Sequence, residues 1–351
     1  MGKYSLESFE RYKTIRCRPL EKREAVEGAG VSRFVTARAA LGGERPVLRE
    51  QPVLRERTLL EVRVPAQEIQ TMAKTESALR SLASGYNRDP LLLGVTLATD
   101  AGPAARRRLW ETAAEAFAPR RYFVPVTDGE QLDYALKHGF ARGLLARVGE
   151  NPYDTCEAFA ENGAQQLFKR MPVLVSFARA DAELARYARQ WHAAAVEGID
   201  AVAGWRIALR RLTYPKALSS GGFAPMRFWW MNRGPSFCHE PVEVRLRLKK
   251  DGRTVPVALG DRTDRIPLAD RVHNEIVRLP KVTPGQYNLQ YGLFTRDGAP
   301  LTLAHDGGTP DGYYPADVMN IDDIPRPEYE TIWDDFFPDG YYPLEDPQEP
   351  V

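Results

Sequence analysis

The chain has 351 residues, of which 27% are charged and 10% are aromatic, values that exclude a chain disordered throughout. Lys and Arg number 48 and Asp and Glu 47, so the net charge is +1. No stretch approaches the ~20 consecutive apolar residues of a membrane-spanning helix, so we expect no membrane partner. At one to two hundred residues per domain, this length predicts two domains.

Charge is unevenly distributed along the chain. Residues 306–351 contain thirteen acidic residues and one basic residue, so this segment carries −12 and the remainder +13. We expect the acidic segment to lie against the chain's own basic body. The basic part has no dense Lys/Arg run interleaved with aromatic residues, so a nucleic-acid partner is not expected.

The cysteines, histidines and glycines indicate neither a metal site nor a cofactor. The three cysteines and five histidines are scattered, without the spacing of a zinc site or a disulfide framework. No glycine-rich nucleotide-binding motif occurs. The N-terminus lacks the apolar core of a secretory signal, which predicts a cytoplasmic protein for the chain as given.

Before residue 212, short apolar runs alternate with helical patterns. Several runs are continuously apolar, as in strands buried on both faces, and strand–helix alternation predicts a parallel sheet with right-handed crossovers. Eight such runs predict a (β/α)8, TIM-like barrel over residues 1–210. The runs are 14–20, 32–39, 58–64, 91–98, 121–127, 141–148, 172–178 and 201–209.

Three helices of this region have recognisable start signals. Pro103 follows Gly102 at a position where a first helical residue tolerates proline. Asp154 begins a capping-box pattern, and Asp181 opens a further helix. The inward-facing residues predicted for that last helix are Leu184, Ala188, Trp191 and Ala195.

After residue 212 the apolar pattern changes to a period of two. Short strands separated by Gly, Asp and Pro turns predict an antiparallel β-sandwich over residues 213–322. Asp-Gly pairs at 251–252 and 297–298 indicate hairpin turns. Residues 323–351 are acidic, aromatic and rich in proline, and we expect this tail to place its aromatic side chains in grooves of the basic body.

The active site of a (β/α)8 barrel lies at the carboxyl ends of its strands. Asp100, Asp128 and Glu150 end predicted strands there, and two carboxyl groups facing each other could hydrolyse a glycosidic bond. Asp100 is the first catalytic candidate, with Asp128 or Glu150 as its partner. The alternative interpretation is structural, because Asp and Glu in such loops also cap helices, and Asp100 also suits a tight turn.

Three further side chains near the strand ends are candidates for binding substrate. Arg179 follows the run 172–178, Arg206 lies in the run 201–209, and Tyr153 lies beside Asp154.

Three turns in the second half of the chain carry a resemblance to a known family. They are an Asn-x-Gly turn at residues 232–234, a Pro-Gly-x-Tyr turn at 284–287 and a Gly-x-Tyr-Pro close at 312–315. The same three turns recur in a bacterial β-sandwich family catalogued as domain of unknown function 4832. Residues 213–322 resemble that family.

The resemblance implies a preceding TIM barrel of glycoside-hydrolase-like type, a carbohydrate ligand and a secreted protein. Where the family ends two barrel strands with glutamate, this chain has Asp100 at the first position and Ser176 or Phe177 at the second. Loss of one of two catalytic carboxyl groups removes the usual mechanism. We therefore expect a glycoside-hydrolase-like, carbohydrate-active protein in which catalysis is lost. The alternatives are a non-catalytic scaffold that binds carbohydrate or protein, and an intracellular interaction protein that uses its acidic tail.

Overall fold

The computed structural model divides the chain into two compact units. It describes residues 12–17, 33–41, 57–69, 71–86, 92–117, 122–138, 142–239, 242–259, 271–295 and 298–326. The parallel unit contains the described residues from Arg33 to Trp205, together with residues 234–239. The antiparallel unit contains strand β1 (Tyr12–Arg16), residues 206–233 and the described residues from 242 onward.

Seven strands form the parallel unit. They make two parallel sheets, one of three strands and one of four, in the chain order of the strands. Single-residue parallel bridges, Val95–Tyr122 and Arg33–Val196, join the two sheets at both edges, so that the strand order is cyclic. The strands are β2 (Phe34–Ala40), β3 (Arg57–Arg63), β4 (Leu92–Ala98), β5 (Val124–Val126), β6 (Leu144–Val148), β7 (Val173–Phe177) and β8 (Ala195–Glu197).

Helices cover the outward faces of these strands. Pro103 begins the second helix, as its sequence position predicts, and Leu109, Trp110 and Ala113 are its buried stripe. They join Val95 and Leu97 of β4 in one large apolar core. The α-helices are α1 (Met72–Tyr86), α2 (Pro103–Ala116), α3 (Gly129–Lys137), α4 (Pro152–Glu161) and α5 (Ala185–Gln190), and short 3-10 helices span Ala66–Glu68, Ala164–Lys169 and Ala182–Leu184.

The prediction of a (β/α)8 barrel over residues 1–210 is wrong. The first predicted strand, 14–20, falls on β1, which pairs antiparallel in the other unit. The last, 201–209, becomes a strand only from Ile207, also in the other unit. The helix predicted from Asp181 ends at Gln190, and Ala195 begins β8 instead. β8 has only three residues. So short a segment has no periodicity that would distinguish a strand from the end of a helix.

The antiparallel unit is a two-layered β-sandwich, as its period of two predicts. Besides β1, its strands are β9 (Ile207–Pro215), β10 (Leu218–Ser219), β11 (Phe223–Asn232), β12 (Val242–Lys250), β13 (Arg253–Val257), β14 (Arg271–Arg278), β15 (Gly285–Thr295), β16 (Pro300–Leu301) and β17 (Tyr314–Asp322). One sheet has the order β1-β9-β11-β14, and the other β10-β17-β15-β12-β13 with β16 on β15. All pairs are antiparallel except β10–β17.

Aromatic side chains fill the space between the two sheets of the sandwich. Trp230 of β11 is fully buried and meets Tyr291 of β15 edge-to-face, with 6.0 Å between ring centroids. Phe228 lies beside Trp230 with its ring nearly parallel. This contact between strands of different sheets fixes the core of the sandwich.

The Asp-Gly hairpin signal at 251–252 is confirmed. Asp251 and Gly252 have φ values of 50° and 77° and connect β12 to β13, as a type I′ turn requires. Asp297 of the second signal lies outside the described residues, as do residues 327–351, on which the predicted tail contacts fall. Within the described ranges, no helix is both long enough and apolar enough to cross a membrane.

Candidate functional site

The interior of the parallel unit begins with an apolar layer. Val173 and Val175 of β7 pack against the helices, so the alternation of a strand directs Leu174 to the interior. Leu174 belongs to a separate apolar cluster, to which most of the strands contribute. Its buried members are Phe34, Leu59, Phe123, Leu145, Leu174 and Ala195.

A layer of polar side chains lies above this apolar layer, toward the carboxyl ends of the strands. Five strands contribute a residue to the apolar cluster and carry a charged or hydroxyl residue two positions later. Because side chains alternate along a strand, these polar residues lie on the same inward side. We define the polar layer as these five residues together with Arg38 and Thr96. Its members are Thr36, Arg38, Glu61, Thr96, Arg147, Ser176 and Glu197.

Glu61 is the centre of one half of the polar layer. It is 6% exposed and accepts a hydrogen bond from Arg38 Nε at 3.2 Å on the adjacent strand. Its second carboxylate oxygen forms an ion pair with Arg147 Nη2. Because Arg147 belongs to β6, its side chain crosses the interior to reach β3.

Glu197 is the centre of the other half. One carboxylate oxygen accepts a hydrogen bond from the backbone N–H of Thr36 at 2.7 Å. The other accepts from the Thr36 hydroxyl at 2.9 Å and from the Ser176 hydroxyl at 2.7 Å. Glu197 therefore connects β8 to β2 and to β7, at the edge where the described residues form one backbone bridge between the sheets. The two glutamates thus differ: one has charged partners and the other neutral donors.

Thr96 adds an unsatisfied hydroxyl to the layer. It is fully buried and pairs in register with Glu61. Its Oγ1 atom has no hydrogen-bond partner among the described residues. A buried hydroxyl without a partner costs about 1–3 kcal/mol, so a water molecule or a ligand group in this layer would stabilise it.

The three predicted catalytic carboxylates lie at strand ends, and two of them accept a backbone N–H at the start of a helix. Asp100 is exposed and accepts the backbone N–H of Ala66 at 2.7 Å, at the start of the 3-10 helix after β3. Asp128 is the N-cap of α3 and accepts the backbone N–H of Gln131 at 2.8 Å. Glu150 is exposed after β6. Catalysis by these residues stays a prediction.

Two of the three predicted substrate-binding residues lie near one another. The Tyr153 hydroxyl is shared between Asp181 (3.0 Å) and Glu183 (3.2 Å), and these carboxylates, Asp181 first, raise the pKa of Tyr153 to about 12. The pKa of Asp181 is lowered by the backbone N–H of Glu183, then by Tyr153, and to a smaller extent by Arg179.

Arg206 does not belong to this cluster. It is 6% exposed and lies in the antiparallel unit, where its backbone N–H donates to Asn232 Oδ1 at 2.9 Å. Burial lowers the pKa of its guanidinium group. Arg206 therefore belongs to a different unit from Tyr153 and Arg179.

No metal centre is found in the described ranges. They contain no group of three or more His, Cys, Asp or Glu side chains placed to hold an ion. What the site offers is hydrogen bonding and charge from the polar layer.

We expect Gly198→Ala to destabilise the protein by about 1–3 kcal/mol. Gly198 directly follows Glu197 and has a φ of +87°, and an added Cβ would lie 2.1 Å from the carbonyl oxygen of Phe177. Urea denaturation measures the loss. Gly149→Ala is the matched control, because nothing lies within 4 Å of a Cβ there. Equal stabilities of the two variants would contradict the geometry at the end of β8.

Comparisons with known proteins give only distant similarities. No protein-family model matches the chain, and no curated protein matches it. The filamin domain of Lin-41 aligns with 31% of this chain and 85% of its own, at 15% identity and a TM-score of 0.19. The CARDB domain of the PF1109 protein from Pyrococcus furiosus aligns with 33% of this chain and 91% of its own, at 13% identity and a TM-score of 0.20.

A β-glucosidase from Listeria innocua is similar over a longer stretch. It aligns with 88% of this chain, at 9% identity and a TM-score of 0.23, and the chain spans about half (48%) of its length. TM-scores this low carry no argument about fold or function.

Proposed function

We propose that the protein is a carbohydrate-binding protein of glycoside-hydrolase-like type whose ligand binds at the polar layer. The observation that carries this proposal is the layer itself, with carboxylate, guanidinium and hydroxyl groups inside a parallel unit whose next layer is apolar. Ligands of parallel α/β folds bind at the carboxyl ends of the strands. Such fixed polar groups suit the many hydroxyl groups of a sugar.

The proposed activity is binding without hydrolysis by Asp100, Asp128 or Glu150. Asp100 and Asp128 each accept a backbone N–H at the start of a helix. For Asp128 this is the capping role that the sequence leaves open, whereas the structural alternative for Asp100 is a tight turn. The resemblance of residues 213–322 to the bacterial sandwich family supports the carbohydrate class and stays part of the proposal.

Calorimetric titration with a panel of oligosaccharides tests the proposal. We expect at least one oligosaccharide to bind. The Glu197→Gln substitution should raise the Kd of that oligosaccharide about tenfold or more, which corresponds to a loss of about 1.4 kcal/mol in binding free energy. The substitution removes the charge that accepts three hydrogen bonds from Thr36 and Ser176. Glu161→Gln, on the exposed end of α4, is the matched control.

Two results would contradict the proposal. One is that no sugar of the panel binds the wild-type protein. The other is turnover of an aryl glycoside that Asp100→Asn abolishes while the fold is kept, since this would establish hydrolysis by Asp100.

A further inference from the structure

We propose that the sugar bound at the polar layer carries a carboxylate group, as a uronic acid residue does, and that Arg38, Arg63 and Arg147 bind this group. The inference rests on the proposed function and specifies its ligand. It follows from the guanidinium groups that lie near Glu61.

Arg63 adds a third guanidinium group to the side of the layer that contains Glu61. It is the last residue of β3, two residues beyond Glu61, so strand alternation directs it to the same inward side at the carboxyl end. Its partners in register are Ala40 and Ala98, whose small side chains leave room around it. Arg63 is exposed and has no ion pair with any described residue.

Among the described residues, Arg38 and Arg147 use only part of their hydrogen-bond donors. A guanidinium group has five N–H donors, and Glu61 accepts from one nitrogen of each arginine. The side chain of Arg38 is 79% exposed and that of Arg147 is 30% exposed. Since Glu61 already fixes both side chains, a ligand would order them at a lower entropic cost.

Around Glu61 the guanidinium groups outnumber the carboxylates. Arg38 and Arg147 pair with Glu61, and Arg63 lies two residues further along β3. Glu197, the other carboxylate of the layer, lies on β8 and accepts hydrogen bonds from neutral donors. A neutral sugar would use only hydroxyl contacts. A uronate can place its carboxylate against the guanidinium groups, which bind carboxylates in a bidentate manner, and its hydroxyl groups toward Glu197.

The test compares charged and uncharged forms of the same ligand. Oligosaccharides of galacturonic, glucuronic and mannuronic acid are titrated beside their methyl esters, which keep the sugar and remove the charge. We expect at least one acid to bind tenfold or more tightly than its ester. This ratio should fall as the salt concentration rises, because ions screen an exposed charge pair.

Arg63→Gln should reduce that ratio at least fivefold without unfolding the protein, because Arg63 is exposed and unpaired in the described part of the chain. Arg142→Gln is the matched control. Arg142 is also exposed but lies before β6, at the opposite end of the strands, and should leave the ratio unchanged. Arg147→Lys tests the bidentate contact, since lysine keeps the charge and loses the planar donor pair.

The outcomes separate this inference from the proposed function. Esters or neutral sugars that bind as tightly as the acids would overturn the inference and leave the proposed function standing. An acid preference that Arg63→Gln leaves intact would also overturn the assignment. Failure of every sugar to bind would overturn both.

Discussion

Replacing Arg147 by Met is expected to lower the free energy of unfolding by about 2–4 kcal/mol. The side chain of Glu61 is only 8% exposed. Without Arg147, the remaining partner of its carboxylate would be Arg38, whose side chain is 79% exposed. Removing one partner of a buried pair leaves a charge without compensation, at a cost of about 3–5 kcal/mol. Because the side chain of Arg147 is partly exposed, we expect a loss toward the lower end of this range. Urea denaturation followed by circular dichroism measures the difference.

The double variant Glu61→Leu with Arg147→Met is the control for this prediction. It removes both charges and keeps apolar volume in the interior, so we expect most of the lost stability to return. The double-mutant cycle should then give a coupling of about 1–3 kcal/mol. Stability of the Arg147→Met variant equal to that of the wild type would show that this ion pair contributes nothing to the parallel unit.

Trp230→Ala should destabilise the sandwich by about 3–5 kcal/mol, the usual loss for truncating a buried aromatic side chain. Trp230 is fully buried and its ring contacts Phe228 in its own strand and Tyr291 in the facing sheet. Alanine would therefore leave a cavity between the two sheets. Urea denaturation followed by circular dichroism also measures this loss.

Trp230→Phe is the comparison variant. The indole Nε1 of Trp230 has no hydrogen-bond partner among the described residues, so phenylalanine removes no hydrogen bond and keeps most of the aromatic area. We expect it to cost less than about 1.5 kcal/mol. A cost as large as that of alanine would indicate that Nε1 has a partner.

Local patterns predict most individual elements, whereas sheet membership is not a local property. Six of the eight predicted strands before residue 212 are strands of the parallel unit, because a short run of apolar or β-branched residues identifies each of them locally. The run at 14–20 is also predicted as a strand of the barrel, yet β1 pairs with β9 almost two hundred residues later. No local pattern reports such a long-range pairing. β8 has three residues and follows α5 closely, so it has no periodicity of its own.

The sequence does not reveal the polar layer, for a different reason. Asp100, Asp128 and Glu150 follow predicted strands, where the active site of a barrel is expected. Glu61, Arg147 and Glu197 lie within strands, and their signal is a charged residue among apolar ones, as in TLLEVRV at 58–64. Such a residue costs stability unless it has a partner, and its partner here comes from a distant strand, which the sequence does not reveal.

The pairing of β1 with β9 has a consequence for synthesis on the ribosome. β1 ends at Arg16, and the strand beside which it lies begins at Ile207, about 190 residues later. At ~5–20 residues per second, β1 waits roughly 10–40 s for its neighbour, while the segments of the parallel unit up to Trp205 leave the ribosome first. The parallel unit can therefore begin to fold early. β1, the first strand of the described residues, is among the last strands to form its backbone pairing. During that interval β1 is an unpaired strand, the kind of segment that chaperones protect from aggregation.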